Sequence, residues 1–431
     1  MKKTMALVLC AIMMISLFCG CGPADQPGDG TQNTEPANVE HSLRVGFGRS
    51  DITPETFVPL GGGSGNISYS VEEPLYLNCV AITDETDNTI LVYMIDLLQS
   101  YGDFAIQRRA ISKATGVDEL QIMFAATHNH TGPNLNSTND PSIQLYVEGI
   151  KDKVVQAAVD AMADRKPVTG MYTTKTYTED MNFVRHYMLK DGTRIGWATP
   201  AVQGNKNGTI KDHLLPADNE LQLVKFVREG GKDIIMMNFQ GHPRAKQDTI
   251  RSQVDAIRRE IEPALDCHFT YFLGASGNVN STSKITGRTR TQDHLEHGKM
   301  ITEYAVEAAK NFKEVKVGKV QLIQNKVMGV SSNGNTEVGI QLYAFSFGDV
   351  AFTTAPYEMF TENGQKIKAE SPFETTFVAT CSNGSLGYLP SEYAFEYDCY
   401  EVSVTKFVKG TAEQAVAEHI SLLKSLYETN N

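Results

Sequence analysis

The segment Ala125-Ala126-Thr127-His128-Asn129-His130-Thr131-Gly132-Pro133 follows an apolar run and carries two histidines two residues apart. In extended chain such residues project to the same side about 6–7 Å apart, so His128 and His130 address one small volume. Imidazole nitrogens suit zinc, which takes them at about 2.0–2.1 Å and in catalytic sites keeps a position open for water. The pair could equally make ordinary hydrogen bonds in a loop. Met236-Met237-Asn238-Phe239-Gln240-Gly241-His242-Pro243 repeats the order of apolar strand, histidine and proline. Ala355-Pro356-Tyr357-Glu358 follows another apolar run. Glu358 there is either an anionic ligand or an N-terminal charge on a helix expected from Met359 to Ala369. Ser382-Asn383-Gly384-Ser385-Leu386-Gly387-Tyr388-Leu389-Pro390 is a fourth strand end, running into a glycine-rich turn.

The elements that must position these residues show in the apolar pattern. Strand-length runs recur at Leu75–Ile82, Ile90–Leu97, Ile122–Ala126, Leu221–Val227, Ile234–Phe239, Phe269–Leu273, Val320–Ile323 and Val350–Thr354. Glu229-Gly230-Gly231-Lys232 joins two of them as a hairpin turn. Helical spacing lies between the runs: Ile143, Val147, Ile150, Val154, Ala158 and Ala161 share one face. Thr411-x-x-Gln414 has the form of a capping box before Val416, Ile420 and Leu423. The class expected is α/β, a mixed β-sheet core flanked by helices in a single large domain over residues 43–431.

Four such strand ends in one chain bring a family into view. Val45-Gly46-Phe47-Gly48-Arg49-Ser50-Asp51-Ile52-Thr53-Pro54 resembles the opening of the neutral/alkaline non-lysosomal ceramidases. The Thr127-His128-x-His130-x-Gly132-Pro133 segment, His242-Pro243, Pro356-x-Glu358 and Asn383-x-x-x-x-Tyr388 follow in that family's order. The resemblance runs from about Leu43 to the end and covers the family's catalytic domain. It implies a zinc-dependent hydrolase cutting the amide bond of an N-acylated substrate, as an N-acylsphingosine amidohydrolase does. It implies Zn2+ held by His128, His242, Glu358 and Tyr388, with His130 facing substrate in the same pocket. Arg185, in Met181-Asn182-Phe183-Val184-Arg185, resembles the arginine of an Asn-x-x-Arg segment that lines the active site; its other reading is a surface salt bridge. On this scheme zinc makes water nucleophilic near neutral pH. Arg185 carries developing negative charge, and His130 moves a proton towards the leaving amine.

Some positions depart from the family. In Gly274-Ala275-Ser276-Gly277-Asn278-Val279, Gly274 stands where long members have a serine and Asn278 where they have an aspartate; Ser276 comes two residues late. Ser385 stands at the earlier of two family tyrosines. Two further readings therefore stay open. One is a zinc esterase or amidase acting on another acylated small molecule or sugar, and the other is a surface-binding lipoprotein without catalysis.

The remaining features concern location and partners. Lys2 and Lys3 precede an apolar run from Met5 to Phe18, which reads as a signal peptide over residues 1–20. Phe18-Cys19-Gly20-Cys21 looks like a bacterial lipobox, with Cys21 as the lipidated residue. Residues 21–42 are polar and rich in Pro and Gly, a flexible tether. These features together predict an exported protein, lipid-anchored at the bacterial cell surface. The formal net charge of −12 argues against nucleic acid, and membrane contact is expected through the anchor alone. The expected partner is an N-acylated lipid or other acylated small-molecule substrate. Cys79, Cys267, Cys381 and Cys399 are far apart in sequence, and a domain this size does not depend on disulfides. His294 and His297 sit in a charged stretch and read as a solvated helix face. Gly61-Gly62-Gly63-Ser64-Gly65 lacks the lysine of a phosphate loop and reads as a mobile loop near the pocket mouth.

Overall fold

Every apolar run expected as a strand becomes one. In the computed structural model, which describes residues 42–62, 66–99, 105–199, 202, 209–243 and 248–430, the first elements are β1 (Leu43–Asp51), β2 (Tyr76–Asp84), β3 (Thr89–Ile95), α1 (Ala105–Thr115), β4 (Ile122–Ala126), α2 (Pro141–Ala163) and β5 (Lys166–Tyr177). Short strands follow, β6 (Phe183–Val184), β7 (His186–Leu189), β8 (Arg194–Gly196) and β9 (Ile210–His213). Then come β10 (Glu220–Arg228), β11 (Asp233–Phe239), α3 (Gln253–Leu265), β12 (Cys267–Leu273), β13 (Val279–Asn280), α4 (His294–Ala309) and β14 (Lys313–Val315). The chain continues through β15 (Val317–Val330), β16 (Glu337–Gly348), β17 (Val350–Thr354), β18 (Glu358–Met359), α5 (Thr361–Glu370), β19 (Thr375–Ala379), β20 (Tyr388–Leu389), α6 (Tyr400–Val404) and α7 (Thr411–Asn430). Residues His41–Asn431 form one compact unit. The expected signal peptide, Cys21 and nearly all of the tether lie outside the described residues, as do Gly63, Ser64 and Gly65.

The main sheet has the order β12-β11-β10-β5-β1-β2-β3-β4, with β14 added to β5. β3–β4 and β11–β12 are parallel pairs and the other neighbours are antiparallel, so the sheet is mixed as expected. A second sheet, β15-β16-β17-β19, ends in the parallel pair β17–β19. β12 packs against β4 and β19, which draws the two sheets together where the three parallel pairs end. Crossover strands that are buried on both faces read as unbroken apolar runs, which is why the sequence marks them so clearly.

Helices cover the faces. α2 buries Ile143, Ile150, Val154 and Ala161 against β1 and β2, each large side chain contributing about 1.5–3 kcal/mol. The Gly46-x-Gly48 pair of β1 explains the close fit: a Cβ at either position would lie 2.0 Å from a carbonyl oxygen of α2, Ala161 O or Ala157 O. α7 buries Val416, Ile420 and Leu423 as expected and lies on β15 and β16. Its start is different. Thr411 is already helical, and its hydroxyl donates to Val408 O at 2.9 Å instead of capping Gln414.

His294 and His297 do not lie on the solvated helix face expected of them. Both are buried, because α4 packs its first turn against α3 and the chain around Met181. His294 Nε2 lies 3.1 Å from Glu73 Oε2, and His297 Nε2 donates to Met181 O at 2.9 Å. Cys79, Cys267, Cys381 and Cys399 are buried, and no disulfide forms among the described residues. Among the described residues no helix is long and apolar enough to cross a membrane.

Candidate metal centre

The chain leaving β4 does not turn away but keeps to the extension of β3. Thr127 N donates to Ile95 O and Asn129 N to Leu97 O, both at 3.0 Å, and Thr127 Oγ1 donates to Asp96 Oδ1 at 2.7 Å. Between those anchors His128 takes a left-handed conformation, φ 62°, which a non-glycine residue adopts at a cost of about 1–3 kcal/mol. The extended geometry expected for His128 and His130 is therefore not what brings them together. The kink points the His128 ring so that Nδ1 donates to Leu98 O at 2.9 Å. A carbonyl only accepts, so Nδ1 carries the proton and Nε2 presents its lone pair.

His242 arrives from the end of β11, the partner of the parallel pair β11–β12, and its Nδ1 faces Pro243 O at 3.1 Å. His130 is held through Gly61 and Gly62: Gly62 N donates to His130 O at 2.7 Å and Gly61 N to Gly132 O at 2.9 Å. A Cβ on Gly62 would lie 2.3 Å from His130 Cβ and 2.5 Å from its Nδ1, so only glycine lets the loop lie flat on this imidazole. Glu358 does not start a helix; it forms the two-residue strand β18, paired in parallel with β20 so that Glu358 sits beside Tyr388. Its amide donates to Gly387 O at 2.9 Å.

These four segments meet. The ring centroids of His128, His130 and His242 form a near-equilateral triangle with sides of 4.7, 4.9 and 5.0 Å. Their ligand nitrogens all lie within 4.8 Å of one another. Glu358 Oε2 is 3.3 Å from His128 Nε2. Nε2 of each histidine and Oε2 of Glu358 are buried and without a hydrogen-bond partner. An orphaned buried polar group costs about 1–3 kcal/mol, so four in one place call for partners that the chain itself does not supply. Two donors on a tetrahedral zinc lie about 3.4 Å apart, close to the His128–Glu358 separation. The residues fit a divalent cation.

The electrostatics agree. Burial pushes His130 down to about 3, with His128 adding to the effect, and burial together with His130 and His128 pushes His242 well below its ordinary value. Both rings are thus neutral donors. Burial also opposes charge on His128 and Glu358, but each outweighs it for the other: His128 is raised and Glu358 lowered. A carboxylate held ionised in a buried site is the anionic counterpart a cation needs.

Arg185 is not a surface residue. Its Nε donates to Glu401 Oε1 at 2.6 Å and its Nη2 to Gly277 O at 2.8 Å and Tyr388 OH at 3.2 Å, all buried. Tyr388 thus lies between Arg185 and Glu358. Burial, with Glu358 next in weight, raises its phenol well above the ordinary value. The Ser385 hydroxyl donates to Gln99 Oε1. Gly274 abuts Gln240: a Cβ there would meet Gln240 Oε1 at 2.7 Å, so a serine at this position would require Gln240 to move. Ser276 is buried, and its carbonyl accepts from Val279 N in a turn. Asn278 Oδ1 accepts from Thr361 N at the start of α5 while Nδ2 donates to Glu362. Glu401, His186 and Tyr397 behind Arg185 carry no recognisable motif, and only their spatial proximity reveals them. A cavity of about 840 Å³, lined by residues including Asn182, Phe183, His213 and Arg288, contains none of the converging donors.

No family model and no curated protein sequence matches the chain. Among solved structures, a ceramidase complexed with C2 superposes with a TM-score of 0.71 at 14% identity, over 90% of this chain and 76% of that one. The neutral ceramidase from Pseudomonas aeruginosa superposes with the same TM-score at 15% identity, over 90% of this chain and 75% of that one. The motif order read in the sequence and the superposition agree: over nine tenths of its length this chain has the fold of the neutral ceramidases.

Proposed function

We propose that the protein is a zinc-dependent hydrolase that cleaves the amide bond of an N-acylated substrate. The observation that carries this reading is the convergence of four buried, partnerless donor atoms, on His128, His130, His242 and Glu358, in a chain with the neutral ceramidase fold. His128, His242 and Glu358 would hold the metal with Tyr388, leaving His130 for the substrate side. When bound, zinc supplies Lewis acidity that polarises a carbonyl and makes water nucleophilic at neutral pH.

The rest is the work of the chain's own side chains. Arg185, a permanent cation beside Tyr388, stabilises negative charge that develops on the acyl oxygen. His130, with Nε2 buried and unpartnered, would relay to the leaving amine the proton given up by the attacking water, although burial makes it a weak base. Leu98 O and Pro243 O fix the tautomers of His128 and His242, as outer-shell acceptors commonly do for ligand histidines.

Gly274 and its contact with Gln240 support a second reading of the substrate, an acylated amine, ester or sugar other than ceramide. Metal analysis of the purified protein, with mass spectrometry of products from pooled N-acyl lipids and N-acyl sugars, tests both. Stoichiometric zinc and release of a fatty acid are expected. A metal-free protein inert on every acyl amide and ester would replace the enzyme by a binding lipoprotein.

A further inference from the structure

Arg185 is held from behind by a carboxylate that no motif predicts. Glu401, on α6, is fully buried. Its Oε1 accepts from Arg185 Nε at 2.6 Å, and its Oε2 lies 3.0 Å from His186 Nε2. An ionised carboxylate only accepts, so His186 donates from Nε2, and its Nδ1 meets the Tyr397 hydroxyl at 2.7 Å. On the other side Arg185 reaches Tyr388 OH and Gly277 O, and Gly277 N donates to Met359 O, one residue from Glu358. A continuous row of side chains thus runs Tyr397, His186, Glu401, Arg185, Tyr388 and ends at the donor cluster. His186, Cys399 and Glu401 also lie close enough to suggest a second metal group. Both carboxylate oxygens and both ring nitrogens are already taken, however, and the Arg185 cation fills the electrostatic role a metal would have.

We infer that Glu401 is a positioning residue: backed by His186 and Tyr397, it sets the plane of the Arg185 guanidinium and so holds Nη2 on Tyr388 beside the donor cluster, with Nη1 facing Asn280 Oδ1 at 3.5 Å. The inference rests on the hydrolase reading for its kinetic consequences, but its geometric content is independent of it. Nε lies in the guanidinium plane, so a carboxylate gripping Nε removes the last side-chain rotation and fixes where both terminal nitrogens point. Burial opposes ionisation of Glu401, yet Arg185 and His186 pull its carboxyl down to about 2, so the grip is charged at every working pH. Removing the carboxylate outright would leave a buried cation unpaired, which is strongly destabilising. Glu401→Gln also takes the counterion from Arg185, but it keeps the side-chain shape and an acceptor for Nε and is the least disruptive variant at this position.

The test compares Glu401→Gln, Arg185→Gln and the double variant for zinc content, Tm, kcat and KM. It also uses arginine-selective nitrogen-15 spectra, in which the Arg185 Nε–H signal is assigned by its loss in Arg185→Gln. Glu401→Gln should lower kcat about 10–100-fold with KM and zinc content unchanged. The double variant should be no slower than Arg185→Gln, because Glu401 acts through the arginine. The Nε–H signal should move and exchange faster in Glu401→Gln. Tyr397→Phe, which keeps the ion pair, should show a smaller loss of kcat and a smaller shift of the signal, and it carries the test if Glu401→Gln fails to fold. Additive losses in the double variant, or a lower Tm with kcat per zinc-loaded molecule unchanged, would overturn the inference. If the parent turns over no acyl substrate, the hydrolase reading fails by itself; an Nε–H signal indifferent to Glu401→Gln would then be what overturns the positioning role.

Discussion

His128 has Nδ1 tied to the Leu98 carbonyl, which turns its Nε2 into the donor cluster 3.3 Å from Glu358 Oε2. Deleting such a donor should empty the centre without unfolding the protein, since it also removes a buried group that had no partner. His128→Ala, His242→Ala and Glu358→Ala are therefore expected to lose zinc and nearly all activity while folding normally. Metal analysis and kcat/KM check this, and full zinc in the two histidine variants would refute the centre. His130 lies as close to the other two rings as they do to each other, so its role is decided by a different readout. As a proton carrier, His130→Ala should keep zinc and lose about 10²–10⁴-fold in kcat. Loss of zinc would make it a ligand in place of Tyr388. Ser276, buried in a turn, should tolerate alanine with most activity kept; a collapse with zinc and fold intact would show that the family's serine role has shifted to this position.

At the scale of elements, what matters is how loops with no regular structure are made rigid enough to hold ligands. The Gly61-Gly62 segment does this for His130 by lying against its ring. Gly62→Ala inserts a methyl where the imidazole already is, and a displacement of about 1 Å should lower kcat/KM about 10²-fold with little change in Tm. Asn383 does it for the strand ends. At φ 58°, a conformation asparagine tolerates, its Oδ1 accepts from Phe124 N of β4 and Arg108 Nη2, and its Nδ2 donates to Thr354 Oγ1 of β17. One side chain thus joins the edge of the main sheet to the second sheet. Asn383→Ala should cost about 2–3 kcal/mol in urea unfolding, the range for removing a buried acceptor from a charged donor and an amide. A loss below the error of that measurement would mean the two sheets are held by packing alone.

For the whole molecule, stability should depend on pH through Asp96, the residue after β3, which accepts from Thr127 Oγ1 beside the candidate metal centre. Burial pushes its carboxyl up to about 7, even though hydrogen bonds from Ser252, Thr127 and Asn129 pull the other way. The folded value exceeds the unfolded value of about 3.9, so between them the folded state binds more protons. Stability should therefore fall as pH rises from about 4 to about 7, by up to about 1.4 kcal/mol per pH unit from this group. Asp96→Asn should remove that slope; denaturant unfolding across the window checks it, and identical slopes in both proteins would refute it. Cys21 belongs to the same scale, since a lipid anchor would decide where the whole domain works. Cys21→Ala is expected to abolish labelling by fatty acid, and labelling that persists would place the modification elsewhere.

Most of the parallel strands were legible in the sequence because burial on both faces leaves no polar interruption, as at Ile122–Ala126 and Val350–Thr354; β19, equally buried, opens on Thr375-Thr376 and was not read as a run. Their ends were legible for the same reason, since His128, His242 and Glu358 appear where an apolar run stops. Other strands were missed for a different reason: β5 is half-exposed and carries lysines and a glycine among its apolar residues, and in β16 glycine, glutamine and serine break up the apolar pattern. Helix starts were blurred too, because Thr411 and Glu358 have residue types that fit a cap or a first turn equally well, and only the backbone chooses. His294 and His297 looked solvated because charged neighbours surround them in sequence, whereas burial depends on what α3 and Glu73 bring from elsewhere. The centre itself shows the division most plainly. Residue type and order named its donors. Convergence came from the kink at His128, the parallel bridge of Glu358 to Tyr388 and the flat glycines under His130, all contacts between segments far apart in the chain. Glu401 belongs wholly to the second kind: a single acidic residue in an unremarkable stretch, it acquires a role only because folding buries it against Arg185, 216 positions earlier.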